Sequence, residues 1–489
     1  MKKENLLKVL PLAAMVILTA CGGGPGDDQV LDTTITFMHR NAQAASELID
    51  TFIADFNKIP GNEKIKVINN KYSGDYNQLR DQVISDMGTG EYPDLVECYP
   101  DHVVRYMDFG KAVNLEPYIN DETNGWSEAD LADMVPAFME EGQMYPVEGI
   151  YSLPLSKSTE AMFYNETVLF ASGLGEALHA IDAEVPTVIN AAYLNNLTWE
   201  HFFGHLAPAI MTYNDSLPAG EKIIDSTQEK YGVMGYDSDS NFFITLCEQY
   251  GYGYTGVNTT TGKGILNFNN ENVRNLLKNL NVYSNNKYLA TQGTLNGYTN
   301  TLFTQNAFLF SIGSTAGYKY QQQNFADQVG VATIPHAEDG TLKIINQGPS
   351  AAVLSHVDSN GLVDTDRQLA AWKFYKFFAE KSQNILWATA TGYLPVRSSV
   401  YTDEAYFEYC SEEGTAAASV DKLAARTATY CTTITDQLYA SPTFKGSSTA
   451  RDQVGALMTN VLLKATAECT DAWILEQFNA AVSTISLAM

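Results

Sequence analysis

Cations are scarce in this chain. Its 489 residues hold 30 Lys and Arg against 57 Asp and Glu, a formal net charge of −27. So acidic a body is repelled by nucleic acid, and no basic stripe offsets the repulsion, which sets nucleic-acid binding aside. An anionic ligand would need a local positive patch. Cysteine is scarce too: of six, Cys21 stands apart, leaving Cys98, Cys247, Cys410, Cys431 and Cys469. Five is odd and no pair has C-x-x-C spacing, which argues against a disulfide framework. One bridge, Cys410–Cys431, is left open; otherwise these residues are expected as small buried hydrophobes. Of seven histidines, His201 and His205 have metal-ligand spacing, but in His-Phe-Phe-Gly-His, without the Glu of a zinc hydrolase motif or a third ligand in view. Asp237-Ser-Asp239-Ser-Asn241 lacks the Gly and closing Glu of a calcium loop. Gly22–Gly24 and Gly313–Gly317 are not followed by Gly-Lys-Ser/Thr, so no nucleotide-type phosphate loop is present. No metal or cofactor is expected. Beyond residue 20 no apolar run reaches the about 20 residues of a membrane helix, and no internal repeat occurs.

What is present begins with an export signal. Lys2, Lys3 and Lys8 make a basic start, Val9 to Ala20 are nearly all apolar, and Cys21 follows Leu18-Thr19-Ala20. A run this short, ending at small residues, reads as a secretory signal over 1–20. Leu-Thr-Ala-Cys is similar to a bacterial lipobox, in which the thiol of Cys21 takes a diacylglyceryl group and becomes the mature N-terminus. That likeness implies a soluble body held by lipid at the cell surface, on the outer face of the cytoplasmic membrane. Residues 21–30 read as a flexible tether, from Gly22-Gly-Gly-Pro-Gly-Asp-Asp28. Cutting 20 residues from 489 leaves 469 and removes three Lys and one Glu, taking the net charge from −27 to −29. A chain of that length exceeds the about 250–300 residues at which one core stops growing, so two domains are expected.

The patterning is that of an α/β protein. Thr33–Met38 alternate as a strand, Asn41–Asn57 carry apolar residues at helical spacing, and Ile65–Ile68, Tyr76–Met87 and Pro93–Cys98 continue strand, helix, strand. Val103–Phe109 and residues 130–145 read as helices. The alternation restarts after 160 and again after 350, so the chain visits two cores more than once and needs several linkers between them, a topology suited to hinge closure around a ligand. Leu153–Asn165 fits one such linker: buried at Leu153–Leu155, polar at Ser156–Thr159, buried again at Ala161–Tyr164. It predicts a strand that leaves one core, crosses a wet gap and enters the other. Gly251–Gly264, rich in Gly and Thr, predicts an exposed excursion.

Six pieces in order carry a resemblance: the lipobox, the Phe-containing opening strand, Pro93-Asp-Leu95, Tyr164-Asn165, Thr198-Trp-Glu200 and Thr391-Gly-Tyr-Leu-Pro-Val396. Together they resemble the extracellular solute-binding proteins of sugar-type ABC importers, over nearly the whole mature chain. Tyr72-Ser-Gly-Asp-Tyr76, Leu153-Pro-Leu-Ser-Lys-Ser158-Thr, Ser311-Ile-Gly-Ser314, Gln347-Gly348 and Gly392-Tyr393-Leu-Pro are most similar to the glycerol-3-phosphate-binding branch. The resemblance implies a two-lobed periplasmic-binding-protein-like fold (type II), each lobe a mixed, mostly parallel sheet flanked by helices, with several hinge crossings. Lobe 1 would be 31–157 plus 350–390, lobe 2 158–349 plus 391–489. It implies a non-enzymatic protein whose partners are a small polar solute and the transmembrane subunits of a permease. It places Tyr76, Ser158, Ser311, Gly348 and Tyr393 at the ligand, with Arg451 as the anion-binding arginine, although the spacing from Phe444 is shorter here. The branch's pocket Glu is missing: Tyr99 is followed by Pro100 and Asp101, leaving Glu97 or Asp101 to substitute.

The residue chemistry stands beside that likeness. Tyr76, Tyr99 and Tyr393 lie on loop-like ends beside turn residues, where a ring face and a hydroxyl suit a polar solute. Lys157, Ser158, Ser311, Ser314 and Arg451 could supply the hydroxyls and cations that a phosphate needs. A glycerophosphate or glycerophosphodiester and an oligosaccharide are both admitted as ligand. A surface glycoside hydrolase would need two carboxylates about 5–10 Å apart in a cleft; no local motif supports one. A non-catalytic adhesin is the third class.

Overall fold

Strand and helix alternate through the first three strands. The computed structural model describes residues 31–258, 260–322, 325–411 and 419–489; the export signal, the tether and Cys21 lie outside them. In β1 (Thr33–His39) Ile35 and Phe37 are buried, and β2 (Ile65–Lys71) and β3 (Leu95–Cys98) flank it in parallel. The connecting helices are α1 (Gln43–Phe56) and α2 (Tyr76–Met87). Ile49, Phe52 and Phe56 recur along one buried face of α1. There Phe52 and Phe56 meet Phe378 and Phe374 of the helix Thr365–Phe378, with ring centroids 5.2 and 5.3 Å apart. Asp75 and Gln78 cap the start of α2 reciprocally, a device worth about 1 kcal/mol. Pro100 opens α3 (Pro100–Asp108) at a position where its missing N–H costs nothing.

The later strands are β4 (Leu153–Pro154), β5 (Glu160–Asn165), β6 (Met234–Tyr236), β7 (Thr255–Val257), β8 (Gly264–Leu266), β9 (Leu289–Thr291), β10 (Phe310–Ser314), β11 (Val329–Ala332), β12 (Ile344–Ile345), β13 (Ser350–Val353) and β14 (Leu438–Tyr439). Two five-stranded sheets form, ordered β2-β1-β3-β13-β4 and β11-β5-β10-β6-β9. The fold is thus mixed α/β on two sheets. Parallel pairing is confined to one half of each: β13 runs antiparallel to β3 and β4, and β5 to β10 and β11. β4 feeds straight into β5, so the chain passes from one sheet to the other with no helix in between.

Three extended segments cross side by side between the sheets. Residue pairing joins Lys157 to Leu394 and Ser158 to Gln347. The gap is dry, not wet as predicted: Ser156, Lys157 and Thr159 are fully buried and Ser158 nearly so. Lys157 Nζ donates to Glu141 Oε2 at 2.5 Å and to the Gly348 carbonyl at 2.9 Å. The Trp387 ring N–H donates to Ser156 Oγ at 3.1 Å, and Thr159 Oγ1 donates to the Ile345 carbonyl at 2.8 Å. Polar side chains cross a dry interior because each of these has a partner. Gly348 has φ +86°, and a Cβ there would sit 2.2 Å from the Ser156 carbonyl oxygen.

Two expectations are corrected. Residues 130–145 hold two short helices, Glu128–Asp133 and Pro136–Glu141, because Pro136 forces Val135 out of helical geometry (ψ 118°). The excursion at 251–264 contains the β7–β8 hairpin, and its Tyr254 is buried between Phe243 and Phe268. The five described cysteines are unbridged. Among the described residues no helix is long and apolar enough to cross a membrane.

Candidate functional site

The loops that follow β1, β2 and β3 converge on one cavity of about 490 Å³. Arg40 comes just after β1, Asp75 and Tyr76 at the start of α2, Tyr99 and Asp101 at the start of α3. These are the carboxyl ends of parallel strands, where open α/β sheets expose their ligand loops. The opposite wall is Tyr254, Tyr298, Asn346, Gln347 and Ala440–Thr443, closed by Ser447, Ser448 and Arg451 of the helix Ser447–Leu463. Arg80 reaches from α2 to Ser448 Oγ at 3.2 Å, joining the two walls.

On the first wall the Arg40 guanidinium lies 4.6 Å from the centroid of the Tyr76 ring, which meets the Tyr99 ring edge-on at 4.8 Å. Behind them Glu97 is fully buried. Its carboxylate accepts from the Arg40 N–H at 2.9 Å, from Asn41 Nδ2 at 3.1 Å and from the Tyr76 hydroxyl at 3.4 Å. Burial pushes its carboxyl up to about 7, although those donors pull it down. Burial also pushes the Tyr99 hydroxyl up to about 12, against the pull of Arg451.

On the second wall Glu160 is the counterpart, buried and likewise pushed up to about 7 by desolvation. It accepts from the Tyr236 hydroxyl and, at 2.8 Å, from Asn241 Nδ2. Asn241 also donates to Gln347 Oε1 at 2.9 Å and accepts from Arg451 Nη2 through its own oxygen. Arg451 is thus oriented by an amide; among the described residues no carboxylate lies within ion-pair distance of it. Three buried polar atoms with no partner, Asn346 Oδ1, Ser441 Oγ and Ser447 Oγ, belong to residues of this cavity. The helix carrying Arg451 has Gly446 at its N-cap and no side-chain cap; its Ser447 N–H is taken by the Phe444 carbonyl at 2.9 Å, which leaves the Ser448 and Thr449 N–H groups for a ligand.

The cavity brings together Tyr76, Tyr99 and Arg451 of the residues singled out in the sequence. Tyr393 is not among the lining residues, and burial pushes its hydroxyl well up. Ser158 and Gly348 lie in the crossings, where the Ser158 backbone pairs with Gln347 and the Gly348 carbonyl receives Lys157. Ser311 is buried in β10 with its hydroxyl on Thr299 Oγ1 at 2.8 Å, and Ser314 ends that strand. The cavity wall includes none of these five. Asp101 lines it, whereas Glu97 supports it from behind. Lys157 is spent on Glu141. Sequence reading missed Arg40, Tyr254, Asn346, Ser441 and Ser447. Arg40 had one signal, its place just past a strand's carboxyl end, and Tyr254 had another, an aromatic recurring among glycines. His201 meets the Tyr193 hydroxyl at 2.8 Å and His205 meets Asp182 at 2.9 Å. Asp239 accepts from Thr291, Gly293 and Thr459.

Two α/β sheets joined by adjacent crossings, with a polar and aromatic cavity fed by both, define the class of two-lobed ligand-capturing proteins. The family model for bacterial extracellular solute-binding proteins matches residues 51–410, and the chain belongs to that family. It is a solute-binding protein of the kind that serves ABC importers, and not an enzyme. Among solved structures, it is similar to the cyclic α-maltosyl-1,6-maltose binding protein from Arthrobacter globiformis, at 16% identity and TM-score 0.64, covering 93% of this chain and 98% of that one. UgpB from Mycobacterium tuberculosis, in complex with glycerophosphocholine, matches at 15% and 0.64 over 96% and 98% of the two chains. The maltotriose binding protein of Thermus thermophilus matches at 14% and 0.61 over 93% and 99%. At these identities the likeness concerns the fold. No curated protein matches the sequence.

Proposed function

We propose that this protein captures a small polar solute bearing an anionic group beside hydroxyls, a glycerol phosphate or glycerophosphodiester, between two lobes. Lobe 1 comprises 31–157 and 350–390, lobe 2 158–349 and 391–489. Closure of the lobes presents the solute to the transmembrane subunits of an ABC permease, and a lipid on Cys21 holds the body at the membrane's outer face. One observation carries the choice of solute: Arg451 faces the cavity with no carboxylate partner, beside the unpaired hydroxyls of Ser441 and Ser447. A phosphate oxygen would complete all three, and the uncapped helix start adds N–H donors. Tyr76, Tyr99 and Asp101 would meet the hydroxyl-bearing end, with Ser158, Ser311, Ser314, Gly348 and Tyr393 shaping the site from behind. Closure is favoured only by contacts made from both lobes at once.

The tyrosine-rich wall also supports a second reading, an oligosaccharide. Titration calorimetry of wild type and Arg451→Ala with glycerol 3-phosphate, glycerophosphocholine and maltotriose separates the two. Phosphate-ligand binding that Arg451→Ala abolishes, without maltotriose binding, supports the first. Maltotriose binding indifferent to Arg451 replaces it with the second.

A further inference from the structure

A second cavity, of about 280 Å³, lies away from the cleft, against the helix Glu271–Asn285 and residues Trp199–Phe203. Its walls are aromatic. Phe203 stacks on Tyr283 at 4.6 Å and 10° and on Trp199 at 5.9 Å and 13°, while Tyr250 stacks on Tyr252 at 5.3 Å and 19°. Tyr250, Tyr252 and Tyr283 are only half-buried, so part of each ring is open to water.

The rim is made of amides. Asn272, Asn275 and Asn279 line the cavity from exposed positions about one turn apart. None of these three side chains has a hydrogen-bond partner among the described residues. Two other asparagines of the helix serve the fold: Asn281 Nδ2 donates to the Val461 and Lys464 carbonyls at 2.7 and 2.6 Å, and Asn285 Nδ2 to Lys464 at 3.1 Å. The rim asparagines have no such task, and Asn is a poorer helix former than the Gln, Glu or Lys usual on an exposed face. Glu200 is the one charged lining residue, held by the Tyr250 hydroxyl at 2.6 Å.

Ring faces beside a row of planar amides match one chemistry. A pyranose offers a C–H face to an aromatic ring and a rim of hydroxyls, each donor and acceptor, to amides that carry both functions. An anion finds no cation here. The volume falls just below the roughly 300 Å³ at which pockets for drug-sized ligands begin, a size for one ring. We propose that this cavity is an accessory carbohydrate site that takes one hexose unit of an oligosaccharide, independently of what the cleft binds. Tyr252 belongs to this cavity and Tyr254, two residues on, to the cleft, so a glycan held here lies one loop away from the main site.

The test uses the full chain carrying Arg451→Ala and Tyr76→Ala, which disables the cleft, and saturation-transfer difference NMR with maltohexaose, cellohexaose and mannohexaose. At least one should bind this protein. Added Tyr252→Ala, or separately Asn275→Ala with Asn279→Ala, should weaken that binding at least tenfold, whereas Tyr252→Phe should retain it. The asparagine pair is exposed, so its result stands even where Tyr252→Ala unfolds the protein. Absence of binding by all three hexasaccharides, or binding untouched by the asparagine pair, overturns the proposal, as does a site that is occupied only by the permease.

Discussion

Lys157 carries its charge in full burial because acceptors surround it: Glu141 at 2.5 Å, the Gly348 carbonyl at 2.9 Å and Ser350 Oγ at 3.5 Å. Removing one partner of a buried pair leaves the other charge uncompensated, which costs about 3–5 kcal/mol. Lys157→Met should therefore lower stability by about 3 kcal/mol or more in urea titrations, and adding Glu141→Leu should restore most of the loss. A single variant within about 0.5 kcal/mol of wild type would show that water reaches Glu141. Glu97 makes a prediction in pH. Its carboxyl, near 4.5 in the open chain, is held at about 7 in the folded one. Between those values the folded state binds more protons than the unfolded, so stability falls as pH rises. The contribution is complete below about 4.5 and lost on passing 7. Unfolding measured at pH 5 and 7.5 should show wild type losing up to about 3 kcal/mol more than Glu97→Gln. Parallel losses would mean that Glu97 stays ionised beside Arg40.

Between the sheets the crossings act as one element, because their backbones pair with each other. Gly348 sets how close they come. The left-handed backbone costs a non-glycine residue about 1–2 kcal/mol, and the Cβ would also press on the Ser156 carbonyl. Gly348→Ala should cost at least about 2 kcal/mol of stability, read from urea midpoints, and should widen the cleft-open population in small-angle scattering; unchanged midpoints would place the hinge elsewhere. Elements of this kind were legible where pattern and geometry coincide. The Tyr76–Met87 helix follows from its apolar spacing, and Leu153–Asn165 as a crossing follows from its apolar–polar–apolar order only together with the restart of strand–helix alternation behind it. The site was legible only where a residue type and a strand end coincide, as at Tyr76 and Tyr99. Ser158 and Lys157 have the composition of a binding turn, yet the Ser158 backbone pairs with Gln347, and Lys157 is held by Glu141 and by the Gly348 carbonyl about 190 residues on. No local pattern reports such a pairing. Ser441 and Ser447 read as ordinary loop and helix-start serines until the fold sets them beside Arg451.

For the whole molecule, charge gives the last discriminating experiment. The chain bears −27 overall, and the cavity sets Arg40 and Arg451 among Asp75, Asp101, Glu141 and Asp452. At about 10 mM salt the Debye length is about 30 Å, so an approaching anion feels the acidic body before it feels the arginines; at 0.15 M it is about 8 Å. Contacts of a few ångströms inside the cleft are screened far less. If the solute is a glycerophosphodiester with net negative charge, its association rate should rise severalfold between about 10 and 150 mM salt, because repulsion is removed from the approach. Its dissociation rate should change less. A neutral oligosaccharide should associate at the same rate within about twofold, since it has no net charge to steer. Stopped-flow tyrosine and tryptophan fluorescence can follow both, and the glycerophosphodiester run at one fixed temperature decides the sign. A rate that falls with salt would overturn the reasoning, by showing that the field of the two arginines extends past the acidic surface and draws the anion in.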